Sequence, residues 1–352
     1  MNIFFNKATE VASEVASEVA TEAPKVEIDL SAYNMAATVP TSRLVFTIIG
    51  LVLLFAAVIA VVVLVTRKQK GNGFGILGGI ATYLVFFYFT ISIVITVLFS
   101  FTPLKKYVLK EDDGTTTITS TVVFVLVYTL VTALIPVAGR WMSNKAFGYR
   151  MKGFGQNLSF GLGIACTQAV FTMSTLFQMC ASMIIINRSG LETLVSGVIL
   201  KNENGQYMVT EGMTAKAYST LDTAMDLINF KTSAIVLLSI VAILILIYQV
   251  AITVPLYAAH QKKIPMGWYG MVYGTYILIQ AGQYLNERKV INEFAQFGIV
   301  LVVVAVTTYF CYKLYVKHYK SEERDIKKEK EEMRKKIQGN KKIPRFENLS
   351  NL

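Results

Sequence analysis

The sequence predicts an all-α, polytopic membrane protein, and three observations carry that prediction. The 352-residue chain is 54% hydrophobic and only 16% charged, with a mean hydropathy of +0.50, too apolar for a soluble chain of this length. Apolar runs of about 20 residues, enough to cross ~30 Å of hydrocarbon, recur along it. Segments of roughly ten residues with alternating polarity are missing, so backbone polar groups must be satisfied within helices rather than in a barrel.

The expected organisation is a tail over 1–41, a helical bundle over 42–316 and a charged tail over 317–352. In the first tail, Glu10, Glu14, Glu18 and Glu22 recur every fourth residue with Val11, Val15 and Val19 between them, ahead of Pro24. A charged, short-period segment with no core reads as disordered. The apolar stretch at Met1 is too short for a signal peptide, and the first span serves as a signal anchor instead. Spans are expected at 44–66, 74–101, 119–141, 158–186, 232–260, 264–285 and 294–316, about seven in all. The Gly-rich stretch 71–75 lacks the Lys-Ser/Thr of a phosphate loop and reads as a flexible connection. Beyond 317, Glu323 precedes Lys327 and Glu331 precedes Lys335 at helical spacing, which favours an exposed helix.

Lys and Arg in short loops set the orientation. Arg67, Lys68 and Lys70, then Arg140, Lys145, Arg150 and Lys152, then Lys262 and Lys263, and finally the tail from Lys317 fall on one side if the chain crosses seven times. That side is expected to be the cytoplasm, giving an N-outside, C-inside protein of the cell membrane. The net charge of +11 is explained by this topology, and nucleic acid is not an expected partner because no recognition motif accompanies it.

Chemistry-bearing groups are sparse inside the spans. Cys166, Cys180 and Cys311 all lie in apolar runs; the first two are ~21 Å apart along one helix, too far to pair or share a metal. His260 and His318 fall at helix ends without carboxylate neighbours and read as interfacial groups. At 100° per residue, Thr167, Gln168, Thr172, Ser174, Thr175 and Gln178 share an arc of ~160° on the fourth helix. This face reads either as interhelical glue or as a hydrophilic cavity, to which Gln249, Gln280 and Gln283 would contribute. Arg140 reads as a headgroup anchor, with a carboxylate clamp as the alternative.

Three blocks carry a family resemblance. The Gly-rich helix start and Phe-rich span of 74–109 resemble the second helix and following loop of the YhfC family of intramembrane proteases. Leu134-Ile135-Pro136-Val137-Ala138-Gly139-Arg140-Trp141 sits where that family shows Phe-Glu-Glu-Thr-Gly-Arg-Tyr. Phe160-Gly161-Leu162-Gly163-Ile164-Ala165-Cys166-Thr167-Gln168-Ala169 aligns with its Gly-x-Gly-His-Gly-Gly-x-Glu-Ala helix. The order and spacing of the spans are similar over most of 40–320.

The resemblance implies a water-activating or metal-orienting pair of glutamates, completed by His and Glu on the next helix. Here Pro136 and Val137 stand at the Glu pair, Ile164 at the His and Gln168 at the second Glu. Tyr276 and Gln280 fall near a late His and Asp. Gly139 and Arg140, with Gly161 and Gly163, keep the pattern. Gln keeps the shape of Glu but takes up no proton near neutral pH. The expectation is therefore a catalytically degenerate relative with no catalytic residue, metal or cofactor. Lipid is its surrounding partner, and a membrane protein or peptide its bound one. The alternatives are an active peptidase using non-standard residues and a small-solute transporter.

Overall fold

The computed structural model describes residues 25–30, 33–68, 71–101, 118–148, 153–195, 199–202, 206–210, 213–320 and 331–332. The acidic repeat and nearly all of the C-terminal tail lie outside them. Long helices dominate: α1 (Thr41–Val63), α2 (Gly73–Thr82), α3 (Ile91–Phe101), α4 (Ile118–Phe147), α5 (Phe154–Val195), α6 (Thr214–Asn229), α7 (Thr232–Ala251), α8 (Thr253–His260), α9 (Trp268–Glu287) and α10 (Glu293–His318). Two stretches are wound more widely as π-helix, Leu64–Lys68 after α1 and Tyr83–Thr90 between α2 and α3.

Among the described residues, six helical rods are long and apolar enough to cross a membrane: Thr41–Arg67, Gly73–Leu98, Thr121–Phe147, Phe154–Thr193, Thr232–His260 and Glu293–His318. Their outer faces are apolar too, with Val52 60% exposed on α1, Phe177 65% on α5 and Val302 61% on α10. Contiguous exposure of this kind is tolerated in lipid and penalised in water. The chain is an all-α integral membrane protein with several crossings.

The sixth span expected from sequence, at 264–285, becomes α9, a 20-residue helix that rises ~30 Å. Gln280, Gln283, Asn286 and Glu287 make it too polar to count with the other six. Its ends are joined by short turns to α8 and α10, and it packs on α4 and α10. It is thus a seventh rod of the bundle, turned inward.

Helix ends follow local chemistry. The stretch 71–75, expected as a flexible connection, is instead the start of α2: the Asn72 side chain caps it by accepting from the Gly75 N–H at 2.9 Å. A Cβ on Gly75 would stand 2.4 Å from the Gln156 carbonyl oxygen and one on Gly71 2.1 Å from Ser159 Oγ, so these two glycines seat the start of α2 on α5. Asn292 caps α10 in the same way through the Ala295 N–H at 2.8 Å. α5 is broken at Gly190, whose φ is +78°, a region open mainly to glycine. α7 stops at Ala251 and α8 restarts at Thr253 because Pro255 has no N–H to offer the Ala251 carbonyl and its ring crowds that oxygen. Pro136, by contrast, lies within the continuous helix α4.

A cap covers one end of the bundle. Strands β1 (Lys25–Glu27), β2 (Leu200–Lys201) and β3 (Tyr207–Thr210) form an antiparallel sheet in the order β1-β3-β2, with Val26 opposite Val209. Ile28, Leu30 and Val39 bury themselves with Leu191, Val209, Leu221 and Ile228 in one cluster. Asn187 clamps the backbone of Val39 from both sides, accepting at 2.7 Å and donating at 2.9 Å. The tail expected to be disordered over 1–41 is therefore packed from Lys25, because its apolar residues find α6 and the far end of α5. At the other end of the bundle, His260 abuts Gly148, and Lys263 covers the Tyr319 ring at 4.3 Å.

Candidate intramembrane binding site

A partly open cavity of about 500 Å³ lies within the bundle. Residues from the π-helical segment, α3, α4, α5, α7, α9 and α10 line it. The upper level is set by Gln283 and Gln296, near the turn between α9 and α10. Gln280 stands one helical turn deeper. Tyr276, Gln168 and Gln249 form the floor. From Gln283 to Tyr276 the descent is ~10 Å along α9. One wall is aromatic: Tyr83 stacks on Phe87 at 5.1 Å and on Phe171 at 5.7 Å, and Phe171 stacks on Tyr88 at 5.2 Å; the opposite one is aliphatic, with Leu238, Val241, Ile245 and Leu246 of α7. Wide π-helical winding at Tyr83–Thr90 places Tyr83, Phe87 and Tyr88 all against the cavity.

Beneath the floor lies Arg140, fully buried with 0% exposure. Its Nη2 donates to the Gln249 backbone oxygen at 3.3 Å and to Gln249 Oε1 at 2.5 Å, and its Nη1 to Thr253 Oγ1 at 3.3 Å. The Gln249 carbonyl that receives it also accepts from the Thr253 hydroxyl at 3.1 Å. This oxygen sits just before the break imposed by Pro255, where the backbone departs from regular helix. Tyr276 Oη donates to Gln249 Oε1 at 2.7 Å, and Gln249 Nε2 donates to Gln168 Oε1 at 2.7 Å. Arg140, Gln249, Tyr276 and Gln168 thus bind α4, α7, α9 and α5 into one polar centre. No carboxylate is ion-paired with Arg140 among the described residues, and its Nε has no hydrogen-bond partner there.

This placement corrects the reading of Arg140 as a headgroup anchor. Its position near the end of an apolar run resembled an interfacial residue, but α4 continues to Phe147 and carries Arg140, Ser143 and Asn144 inward. Ser143 is 2.7 Å from the Thr82 hydroxyl, and Asn144 donates to Tyr269 Oη at 3.3 Å. The buried face of α4 is therefore polar over its last turns.

Pro136 on α4, Gln168 on α5, and Tyr276 and Gln280 one turn apart on α9 all line the cavity. Val137 and Ile164 do not: Val137 packs in the cluster around Tyr248 and Ile252, and Ile164 beside Tyr83 and Phe160. The three glycines serve close approach. A Cβ would meet the Phe86 ring at 2.4 Å from Gly139, Thr253 Oγ1 at 2.0 Å from Gly161 and the Ile76 carbonyl at 2.1 Å from Gly163.

The polar arc of α5 splits up. Gln168 and Thr172 reach the cavity. The hydroxyls of Thr167, Thr172 and Thr175 bond back to the carbonyls of Gly163, Gln168 and Phe171 at 2.8, 3.2 and 3.1 Å. Satisfied on their own helix, they join no other. Ser174 is exposed and Gln178 half-buried. Tyr83, Tyr88, Gln296 and Thr253 escaped the sequence reading; a Gln four residues before a Thr, with Pro255 two further on inside an apolar run, was the available signal for Thr253.

The cysteines Cys166, Cys180 and Cys311 are unpaired. Among the described residues, no three of His, Cys, Asp and Glu come together as a metal-binding group. No family model, curated protein or solved structure matches this chain.

Proposed function

We propose that this protein binds a segment of a membrane protein or peptide in its intramembrane cavity without cutting it, as a degenerate relative of YhfC-type proteases. The observation that carries the reading is the convergence of Pro136, Gln168, Tyr276 and Gln280 on one cavity. The family resemblance puts proton-transferring groups at these four positions. A proline, two amides and a phenol occupy them, so the shape of a substrate site is combined with side chains that take up no proton near neutral pH. An aromatic wall with amide donors and acceptors suits an extended backbone, whose polar groups need partners in lipid.

The test is incubation of the full chain, in lipid nanodiscs, with fluorescent membrane-spanning peptides, followed by mass spectrometry of the peptide. Saturable binding with no fragment is the expected result. Fragments that vanish in Tyr276→Phe or Gln168→Leu would overturn the proposal in favour of an active peptidase.

One observation favours a second reading. α7 and α8 form a broken helix beside the cavity floor, and broken helices at mid-membrane mark solute sites in transporters. Flux of small polar solutes into proteoliposomes, abolished by Gln249→Leu, would establish that reading instead.

A further inference from the structure

The hydrogen-bond directions at the cavity floor can be assigned without ambiguity, because they begin at arginine. A guanidinium has donors and no acceptor. Gln249 must therefore turn Oε1 toward Arg140, which leaves Nε2 toward Gln168. Gln168 must in turn offer Oε1 to Gln249, and its own Nε2 is left over. Tyr276 spends its proton on Gln249 Oε1. Gln249 Oε1 is thereby engaged twice and Gln168 Oε1 once, and the Gln168 amide N–H groups are the donors at the floor that remain for whatever occupies the cavity.

Charge points the same way. Arg140 is fully buried with no carboxylate paired to it among the described residues, and its Nε is unpartnered. An intramembrane cation is costly unless something compensates it. The Gln249 amide lies between the cation and the cavity, and successive hydrogen bonds polarise one another, so the positive field is carried to Gln168. The complementary group is an anion that only accepts hydrogen bonds. The stacked rings of Tyr83, Phe87, Phe171 and Tyr88 above the floor exclude a ligand that is polar throughout. A volume of about 500 Å³ is that of a drug-sized ligand site, enough for the end of a chain rather than a whole helix.

We infer that the cavity floor recognises a carboxylate at the C-terminal end of a hydrophobic peptide. The inference rests on the peptide-binding reading above and narrows it: the segment held is a free C-terminus, seated with its carboxylate on Gln168 Nε2 and its last side chains on the aromatic wall. Gln168 is the contact residue, while Arg140 and Gln249 set its direction and charge.

The experiment measures affinity of the full chain in nanodiscs for three probes: an N-acetylated leucine–alanine hexapeptide with a free C-terminal carboxylate, the same peptide as C-terminal amide, and dodecanoate. The free acid should bind at least about tenfold more tightly than the amide, since a charge-assisted hydrogen bond is roughly twice as strong as a neutral one. Gln168→Glu sets an acceptor against the ligand's acceptor and should erase or reverse that preference. If this variant does not fold, Gln168→Met reads the same loss of donor.

Equal affinity for acid and amide would overturn the carboxylate assignment while leaving peptide binding intact. A preference that survives both substitutions would do the same. Dodecanoate binding as tightly as the peptide acid would overturn the peptide part of the inference. Failure of every probe to bind would overturn the inference together with the reading it rests on.

Discussion

Arg140 and Gln249 are joined twice, through the backbone and the side-chain oxygen of the glutamine, with Nη2 of the arginine at 3.3 and 2.5 Å. The pair couples the break in one helix to the charge on another. Pro255, in the first turn of α8, interrupts regular winding, and the guanidinium takes up the Gln249 carbonyl two residues before the Ala251 oxygen that the proline leaves without a donor. Removing either side chain alone leaves the other buried with fewer partners: Arg140 keeps the backbone oxygen and Thr253 Oγ1, and the Gln249 oxygens keep Thr253 and Tyr276.

That dependence predicts strong non-additivity. Gln249→Leu should destabilise the protein by about 1–3 kcal/mol, because Arg140 keeps the backbone oxygen and Thr253 Oγ1 but loses the side-chain oxygen, and Arg140→Met should also destabilise it by removing a donor from both Gln249 oxygens. The double variant should cost less than the sum of the two, by ~0.5–3 kcal/mol. Thermal or denaturant unfolding in detergent checks this. Additive losses would show that the two residues are not a unit.

The crossing of α2 and α5 gives a second prediction. A Cβ on Gly163 would lie 2.1 Å from the Ile76 carbonyl oxygen, and one on Gly79 2.1 Å from that of Phe160. Backbone stands opposite in each case, so the clash cannot be relieved by a rotamer. Gly163→Ala should cost about 1–3 kcal/mol. Gly274→Ala, where nothing lies within 4 Å, should stabilise α9 by ~0.5–1 kcal/mol. Melting temperatures that move alike for both would contradict this packing.

The cap provides a pH prediction. Tyr33 donates to Asp222 Oδ1 at 2.9 Å and stacks on Tyr218; burial foremost, then the hydrogen bond and charge of Asp222, push its phenol from 10.0 up to about 12. The folded state thus holds the proton more tightly than the unfolded state. The contribution is complete below pH 10.0, and is lost as pH climbs from there through about 12. Relative to Tyr33→Phe, the wild-type cap should lose stability over that window. Thermal unfolding of the two proteins at pH 9 to 12 reads it, and parallel pH profiles would refute it.

How much of this was legible in the sequence depends on the length over which a pattern extends. Apolar runs long enough to cross lipid announce themselves, and so the helical spans fall where composition places them. β1, β2 and β3 are too short to show alternation, and pair only because the cap brings residues 25–27 to 207–210. Gln168, Tyr276 and Gln280 are visible as polar exceptions within apolar runs, and three-dimensional packing is what gathers them. Arg140 defeats a linear reading for a physical reason. Whether an arginine near a helix end reaches headgroups or the interior depends on which way α4 is turned. Ser143 and Asn144 on the same inward face show that turn only once the helix is packed.

The last prediction concerns α9, on which the number of crossings depends. Six rods are apolar enough to span by composition, and α9 is not among them, yet its 20 residues match the hydrocarbon thickness and its Gln280 and Gln283 line the cavity. If α9 crosses, the turn at Lys289 lies on the same side as the cap, with Asn202, and opposite Lys262. The basic turns at Arg67, Lys145 and Lys262 then all face the cytoplasm, as the bias in Lys and Arg requires. Single-cysteine variants Asn202→Cys, Lys262→Cys and Lys289→Cys, in a background with Cys166, Cys180 and Cys311 replaced, can be labelled with a membrane-impermeant maleimide on intact cells. Asn202→Cys and Lys289→Cys should react from outside, and Lys262→Cys only after permeabilisation. Reaction of Lys289→Cys on the same side as Lys262→Cys would mean that α9 re-enters without crossing. The glutamines of α9 would then meet water from the cytoplasmic side, and the depth assigned to Gln280 and Gln283 above the buried Arg140 would have to be reversed.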